Sequence, residues 1–217
     1  MNLYEWEGKQ MFKKYGIATP KGVVVSSADS LEQVRLDYLS LGVKDVVVKA
    51  QVLAGKRGKN NGIKFCSNLA EVETAVIELL AKNINGQYVE SVLIEEKLDI
   101  DAEHYVSITY DTNKKQPVLI YSSEGGMDIE YVNEQNIKNV GLNVRNNVVV
   151  ETRLIASLQN VCQNVYNCFL AEDCRVAEIN PLVKTKSGTW LAADAKIAID
   201  DDAFFVTPNG QHLPRGL

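Results

Sequence analysis

Histidine is scarce in this chain: His104 and His212 are the only two among 217 residues. No Ser/His/Asp or Cys/His constellation can be assembled around them, so covalent catalysis by the chain's own side chains has no support. His104 follows Glu103 in a strand pattern and reads as structural, and His212 lies in a loose tail. Cysteine is nearly as sparse. Cys66, Cys162, Cys168 and Cys174 contain no CxxC pair, which disfavours the usual zinc and redox spacings and leaves buried free thiols as the expected state. No apolar run approaches the ~20 residues of a spanning helix. The opening MNLYEWEGKQ carries acids where a signal peptide has its apolar core, so membrane insertion and secretion are disfavoured and a cytoplasmic location is expected. A basic excess is also missing. The formal net charge of -5 argues against a nucleic-acid binder, which would neutralise phosphates with surplus lysine and arginine. Neither GxxxxGK[ST] nor GxGxxG occurs, which removes the Walker loop and the dinucleotide fingerprint.

What remains is an ordinary globular composition, 46% hydrophobic and 24% charged, enough for one large domain or two small ones sharing a cleft. Asn2 and Glu5 resemble a capping box opening a helix over Leu3–Tyr15, which Gly16 ends. Gly22–Val25 reads as a strand, and Ser27 begins a helix whose apolar face is Leu31, Val34, Tyr38 and Leu41. Asp45–Lys49 is a β-branched buried strand with Gly62–Cys66 as its hairpin partner, and Ser67 starts a helix. These close a first lobe near residue 86. From there the pattern turns to long strands, Ser91–Leu98, Glu103–Tyr110 and Val118–Ser123, the last two joined by a polar turn. Glu124–Met127 is a turn and Asp128–Asn136 is polar with helical character. Val148–Val150 is a short apolar stretch, and Thr152–Leu170 is the clearest amphipathic helix. Arg175–Lys184 and Thr189–Asp200 form a hairpin, and the tail from Pro208 is loop-like. Residues 1–19 with 87–205 then make a second lobe, and 206–217 a tail.

Two clusters carry chemistry. The segment Lys49–Lys64 holds Lys49, Lys56, Arg57, Lys59 and Lys64 and no acid. Its glycines, including Gly58, let backbone N–H groups approach an anion, and a lysine ending a buried strand supplies a fixed charge, as a triphosphate needs. A solvated basic hairpin satisfies the same composition. The second cluster is Glu178 and Asn180, which alternation puts on one face, with Asp194 brought beside them by the hairpin. Hard oxygen groups of this kind suit magnesium that keeps waters and phosphate oxygens in its shell; an exposed polar strand face is the other reading. Glu95, Glu96 and Glu103 lie on neighbouring strands, where a carboxylate could accept from ribose hydroxyls.

In order along the chain, VVVKAQVLAGKRGKNNGIK, VLIEEKLDIDAEHY, YSSEGGMDIE and AEINPLV…ADAK resemble the ATP-grasp portion of succinyl-CoA synthetase β subunits. The likeness runs from the N-terminal helix to about Phe205. It implies an α/β (α+β) ATP-grasp fold, two α/β lobes enclosing a nucleotide cleft. It also implies a reaction in which Mg2+ and ATP phosphorylate a histidine of a partner α subunit, after which an acyl phosphate is captured by CoA. On that resemblance Lys49 contacts nucleotide phosphates and Lys56, Arg57 and Gly58 occupy the covering loop. Glu95, Leu98 and Glu103 hold the nucleotide, Asn180 and Asp194 bind magnesium, and Glu178 lies near the phosphohistidine. Lys56 stands where the family usually has glycine, and Leu98 where a small hydroxyl residue is common. The family's β subunit continues into a ligase-type domain on the order of 150 residues that this sequence does not contain, so that domain is expected on a separate chain or outside an excised piece. Related malate-, citrate- or acetate-CoA ligases share the module, and a non-catalytic nucleotide-binding regulator is a further reading.

Overall fold

The computed structural model describes residues 1–53, 58, 60–142 and 156–203. Two compact units are present: Met1–Thr19 with Ile100–Leu217, and Pro20–Asp99. Helix α1 (Glu5–Lys14) opens the first unit. Its cap is Tyr4 and not Asn2, because the Glu7 carboxylate accepts from the Tyr4 amide at 2.8 Å.

The unit Pro20–Asp99 begins with β1 (Gly22–Ser26) and α2 (Leu31–Ser40). Ser27 does not start that helix. Asp29 accepts from the Ser26 amide and hydroxyl and makes a turn of residues 26–29, so Ser30 becomes the cap, accepting from the Gln33 amide at 3.2 Å. Then follow β2 (Val46–Ala50), β3 (Ile63–Cys66), α3 (Leu69–Leu80, capped by Asn68), the two-residue strands β4 (Asn83–Ile84) and β5 (Gln87–Tyr88), and β6 (Ser91–Glu96). The sheet order is β1-β6-β2-β3. Strand β6 therefore sits inside this sheet, antiparallel to β1 and β2, and does not open the second lobe. The boundary lies at Asp99 and not near 86. Local pattern shows that a segment is a strand but not which sheet claims it. Val46, Val48, Val92 and Ile94 pack with Val72 and Leu79 of α3, so alternation turns Val47, Lys49, Leu93 and Glu95 to the opposite face.

The other unit is built on β7 (Ile100–Asp111), β8 (Gln116–Ser122), β9 (Ile137–Gly141), β10 (Cys174–Thr185), β11 (Trp190–Ala192) and β12 (Lys196–Ile199). Its sheet runs β11-β10-β7-β8-β9, with β12 also on β10. Helix α4 (Ala156–Ala171) buries Leu158, Cys162, Val165 and Phe169 against it, together with Phe12 of α1. The expected residues 152–155 of that helix, the stretch Val148–Val150 and the tail lie outside the described residues. Asp128–Asn136 holds two short 3-10 turns, Ile129–Tyr131 and Glu134–Asn136. All four cysteines are free and buried. Among the described residues no helix is long and apolar enough to cross a membrane.

Expected as one strand, Thr189–Asp200 is broken at residues 193–195. Both halves keep one register on β10: Leu182 faces Ala192 and Glu178 faces Lys196. In the interval the Ala193 amide donates to the Pro181 carbonyl at 3.1 Å. The turn that reverses the chain is closed by the Thr185 amide donating to the Thr189 carbonyl at 2.9 Å, with Gly188 at φ +87.

Candidate functional site

In the unit Pro20–Asp99, Lys49 is the next-to-last residue of β2, on the face turned away from α3. Its ammonium lies 2.7 Å from a carboxylate oxygen of Glu95 on β6. Glu95 reaches this place because Gly22 stands opposite it on β1; a Cβ on Gly22 would come within 2.9 Å of Glu95 Cγ. Lys64, the last cation of the basic segment, turns instead to Glu78 of α3 at 2.8 Å. Gly58 is exposed, and its carbonyl accepts from the Asn61 amide at 3.3 Å. Lys56, Arg57 and Lys59 lie outside the described residues. Leu98 is half-buried in the connection after β6.

In the other unit, the shared register of β11 and β12 sets Asn180 opposite Asp194. Glu178, two residues before Asn180, keeps the same side, while Ala177 and Ile179 go into the core. The pairing of β10 with β7 shifts by one between Ile179 and Leu182, so two residues, Asn180 and Pro181, face Tyr105 alone. That is a bulge, which re-aims side chains at a sheet's working face. The Tyr105 hydroxyl donates to Glu178 Oε2 at 3.0 Å, and the Lys196 ammonium stands 3.9 Å from the same oxygen. Burial raises the Glu178 carboxyl above its ordinary range and the Asp194 and Glu130 charges add to this, against the pull of Lys196 and Tyr105. Tyr105 is held protonated by burial and by Glu178.

Asn180 also holds the Glu124–Met127 turn at two points. Its Oδ1 accepts from the Gly126 amide at 2.8 Å and its Nδ2 donates to the Met127 carbonyl at 2.9 Å. The turn lies directly on β7, where a Cβ on Gly125 would meet the His104 carbonyl at 2.3 Å, and one on Gly126 would meet Glu103 Oε2 at 2.6 Å. Burial raises the Glu103 carboxyl. One face of this unit thus gathers Glu103, Tyr105, Glu178, Asn180 and Asp194. His104 points elsewhere: its Nδ1 is 2.9 Å from the Tyr121 hydroxyl, and Trp190 packs edge-on at 4.9 Å. Burial, then Lys184, lowers its pKa.

Two groups on this face were not expected from the sequence. Tyr105 could have been found, since it lies two residues after Glu103 and strand alternation puts both on one face. The tie between Asn180 and the glycine turn joins positions more than fifty residues apart and has no local signal.

The sequence matches the ATP-grasp domain family over residues 2–184. It is 43% identical over 220 residues to the succinate–CoA ligase [ADP-forming] subunit β of Methanocaldococcus jannaschii, covering 94% of this chain and 59% of that protein. The chain therefore spans little more than half the length of that relative. Among solved structures, an ATP citrate lyase from Methanothrix soehngenii in complex with citrate and coenzyme A superposes with a TM-score of 0.71 at 17% identity, over 93% of this chain and 51% of that one. A dinucleotide-forming acetyl-coenzyme A synthetase from Ca. Korarchaeum cryptofilum gives a TM-score of 0.71 at 18% identity, over 92% and 93%. At these identities the two structures speak for the fold.

Proposed function

Because the chain belongs to the ATP-grasp family, we propose that it binds Mg-ATP and delivers the γ-phosphoryl group to a histidine of a partner α subunit, for ADP-forming synthesis of an acyl-CoA from succinate. The observation that carries this reading is the placement of Asn180 opposite Asp194 with Glu178 on the same side. An amide oxygen and a carboxylate are a partial set of hard donors that suits magnesium, which takes waters and phosphate oxygens for the remainder of its shell. Among the described residues no group of three or more His, Cys, Asp or Glu side chains could hold a metal. When bound, magnesium would neutralise charge on the transferred phosphoryl group.

The chain's own residues do the rest. Lys49, fixed by Glu95, offers an oriented positive charge to the phosphates, where preorganisation replaces the reorientation that water would need. Lys56, Arg57 and Gly58 cover them. Glu95, Glu103 and the Leu98 segment hold the nucleoside end. Glu178, with its proton affinity raised by burial, orients the incoming histidine and holds a proton there. The CoA-ligase half of the reaction, and the choice of acid, we assign to the partner α subunit and to the family's ligase domain. We place the reaction in the cytoplasm, where four free buried thiols are the state the redox poise favours.

The test is to combine the chain with a candidate α subunit and Mg-ATP labelled at the γ position. Acid-labile label on the partner's histidine is the expected result. A partner shown to bind but left unlabelled would overturn the assignment.

A further inference from the structure

Helix α1 carries a charge where an amphipathic helix would bury an apolar side chain. Lys9 is 4% exposed and Glu5 also 4%. The Lys9 ammonium donates to Glu5 Oε1 at 2.7 Å and to the Ala193 carbonyl at 2.8 Å. Stability does not account for such a pair, since replacing buried ion pairs by apolar residues of similar volume is often neutral or stabilising. Its location does suggest a purpose. Ala193 is held on both sides, its amide by the Pro181 carbonyl and its carbonyl by Lys9. The next residue is Asp194, whose Oδ1 accepts from the Ala195 amide at 2.7 Å. On the far side of Asp194, Ala195 packs against Gly8, where an added Cβ would stand 3.1 Å from the Ala195 Cβ. The helix therefore grips the residue before Asp194 by charge and the residue after it by close contact.

We propose that Lys9, fixed by Glu5, is a positioning residue for Asp194, and that α1 sets the carboxylate at the height at which it meets the magnesium of the bound nucleotide. This rests on the reading of Asp194 as a metal ligand. No role in touching substrate falls to Lys9 itself. Asp194 lies between β11 and β12, and the two contacts from α1 flank it on either side.

The experiment uses the full chain with Mn2+ as the probe metal, following Mn2+ binding to its ADP complex by electron paramagnetic resonance. ADP affinity in the presence of a chelator is measured alongside. The variants are Lys9→Met with Glu5→Gln, which removes both charges together; Gly8→Ala, which presses on Ala195 with Lys9 intact; and Asp194→Ala. Both α1 variants are expected to bind Mn2+ about 10- to 100-fold more weakly, the usual effect of losing a group that orients a ligand, with metal-free ADP affinity unchanged. A general loosening of the fold would weaken both. If the charge variant does not fold, Gly8→Ala decides alone. Wild-type Mn2+ affinity in the α1 variants, with Asp194→Ala defective, overturns the positioning role and leaves the metal site standing. Wild-type affinity in Asp194→Ala overturns the metal site and this inference with it.

Discussion

Lys49 and Glu95 sit diagonally across β2 and β6, with ammonium and carboxylate 2.7 Å apart and the two side chains 12% and 3% exposed. The pair means that the strongest basic feature of the sequence is neutralised at its first member before any ligand arrives. A phosphate that approaches Lys49 therefore meets a cation already oriented, and it shares that cation with Glu95 rather than replacing water around it.

Lys49→Met should separate binding from folding. Losing a charge-assisted hydrogen bond, about 1.5–3 kcal/mol, weakens ATP roughly 10- to 100-fold by calorimetric titration. It also takes the Lys49 ammonium away from a buried carboxylate, at a cost of up to about 3–5 kcal/mol in urea denaturation. Adding Glu95→Gln should recover most of the stability and none of the ATP affinity. A double variant that regains ATP binding would remove Lys49 from the phosphate site.

Gly125→Ala should be the more damaging of the two turn substitutions. At Gly125 the added Cβ runs into the His104 backbone, whereas at Gly126 it meets the end of the Glu103 side chain, although φ +75 adds strain there. Overpacking of this kind costs about 1–3 kcal/mol. Urea midpoints should rank wild type above Gly126→Ala and Gly126→Ala above Gly125→Ala.

Glu178 should make folding stability depend on pH. Its folded pKa is raised above the ordinary 4.5, chiefly by burial, so the folded chain holds that proton more tightly than the unfolded one. The stabilisation is complete below the unfolded pKa and is lost as pH rises through the folded pKa. Denaturation from about pH 4 to about pH 8 should show wild type losing stability relative to Glu178→Gln as pH increases, then running parallel to it. A constant difference across the range would contradict the raised pKa.

The thiols should be inert in the native chain. Burial pushes Cys66 up to about 11 and Cys162 up to about 12. Cys168 is raised by its hydrogen bond to Cys174 and by burial. A thiol reagent at neutral pH should label none of the four until denaturant is added, and then all of them.

The core of each unit was legible because its signals are local. The β-branched run at Val46–Val48 and the helical spacing of Leu158, Cys162, Val165 and Phe169 report burial wherever the chain goes. Sheet membership was not legible. Ser91–Glu96 reads as a strand on its own residues, but only pairing with Gly22–Ser26 and Val46–Ala50 puts it in the first sheet. The candidate site divided in the same way. Glu178, Asn180 and Asp194 could be placed on one face because a hairpin's register can be counted from its turn. Tyr105 and the glycine turn, which shape the same face, reach it from other strands. Strand β9, a short polar edge with Asn and Gly in it, had no pattern to announce it.

The break at residues 193–195 bears on which changes of chain length this protein can tolerate. Strand β12 is pinned from outside the hairpin: the Leu3 amide donates to the Ile197 carbonyl at 3.0 Å and Asn2 bridges Ala198. Strand β11 is pinned from outside as well: the Ala192 amide donates to the Ala18 carbonyl at 2.8 Å and the Trp190 indole to the Ser157 hydroxyl at 3.1 Å. A residue gained or lost in the Lys186–Thr189 turn would strain those ties, and a slip of β11 that broke them would carry the mismatch to Ala193–Ala195. A one-residue slip turns a strand side chain to the other face, and the residue displaced would be Asp194. The turn is exposed and remote from the chemistry, so its sequence is free to drift. Its length is not, because both strands it joins are tied to the rest of the unit independently of it.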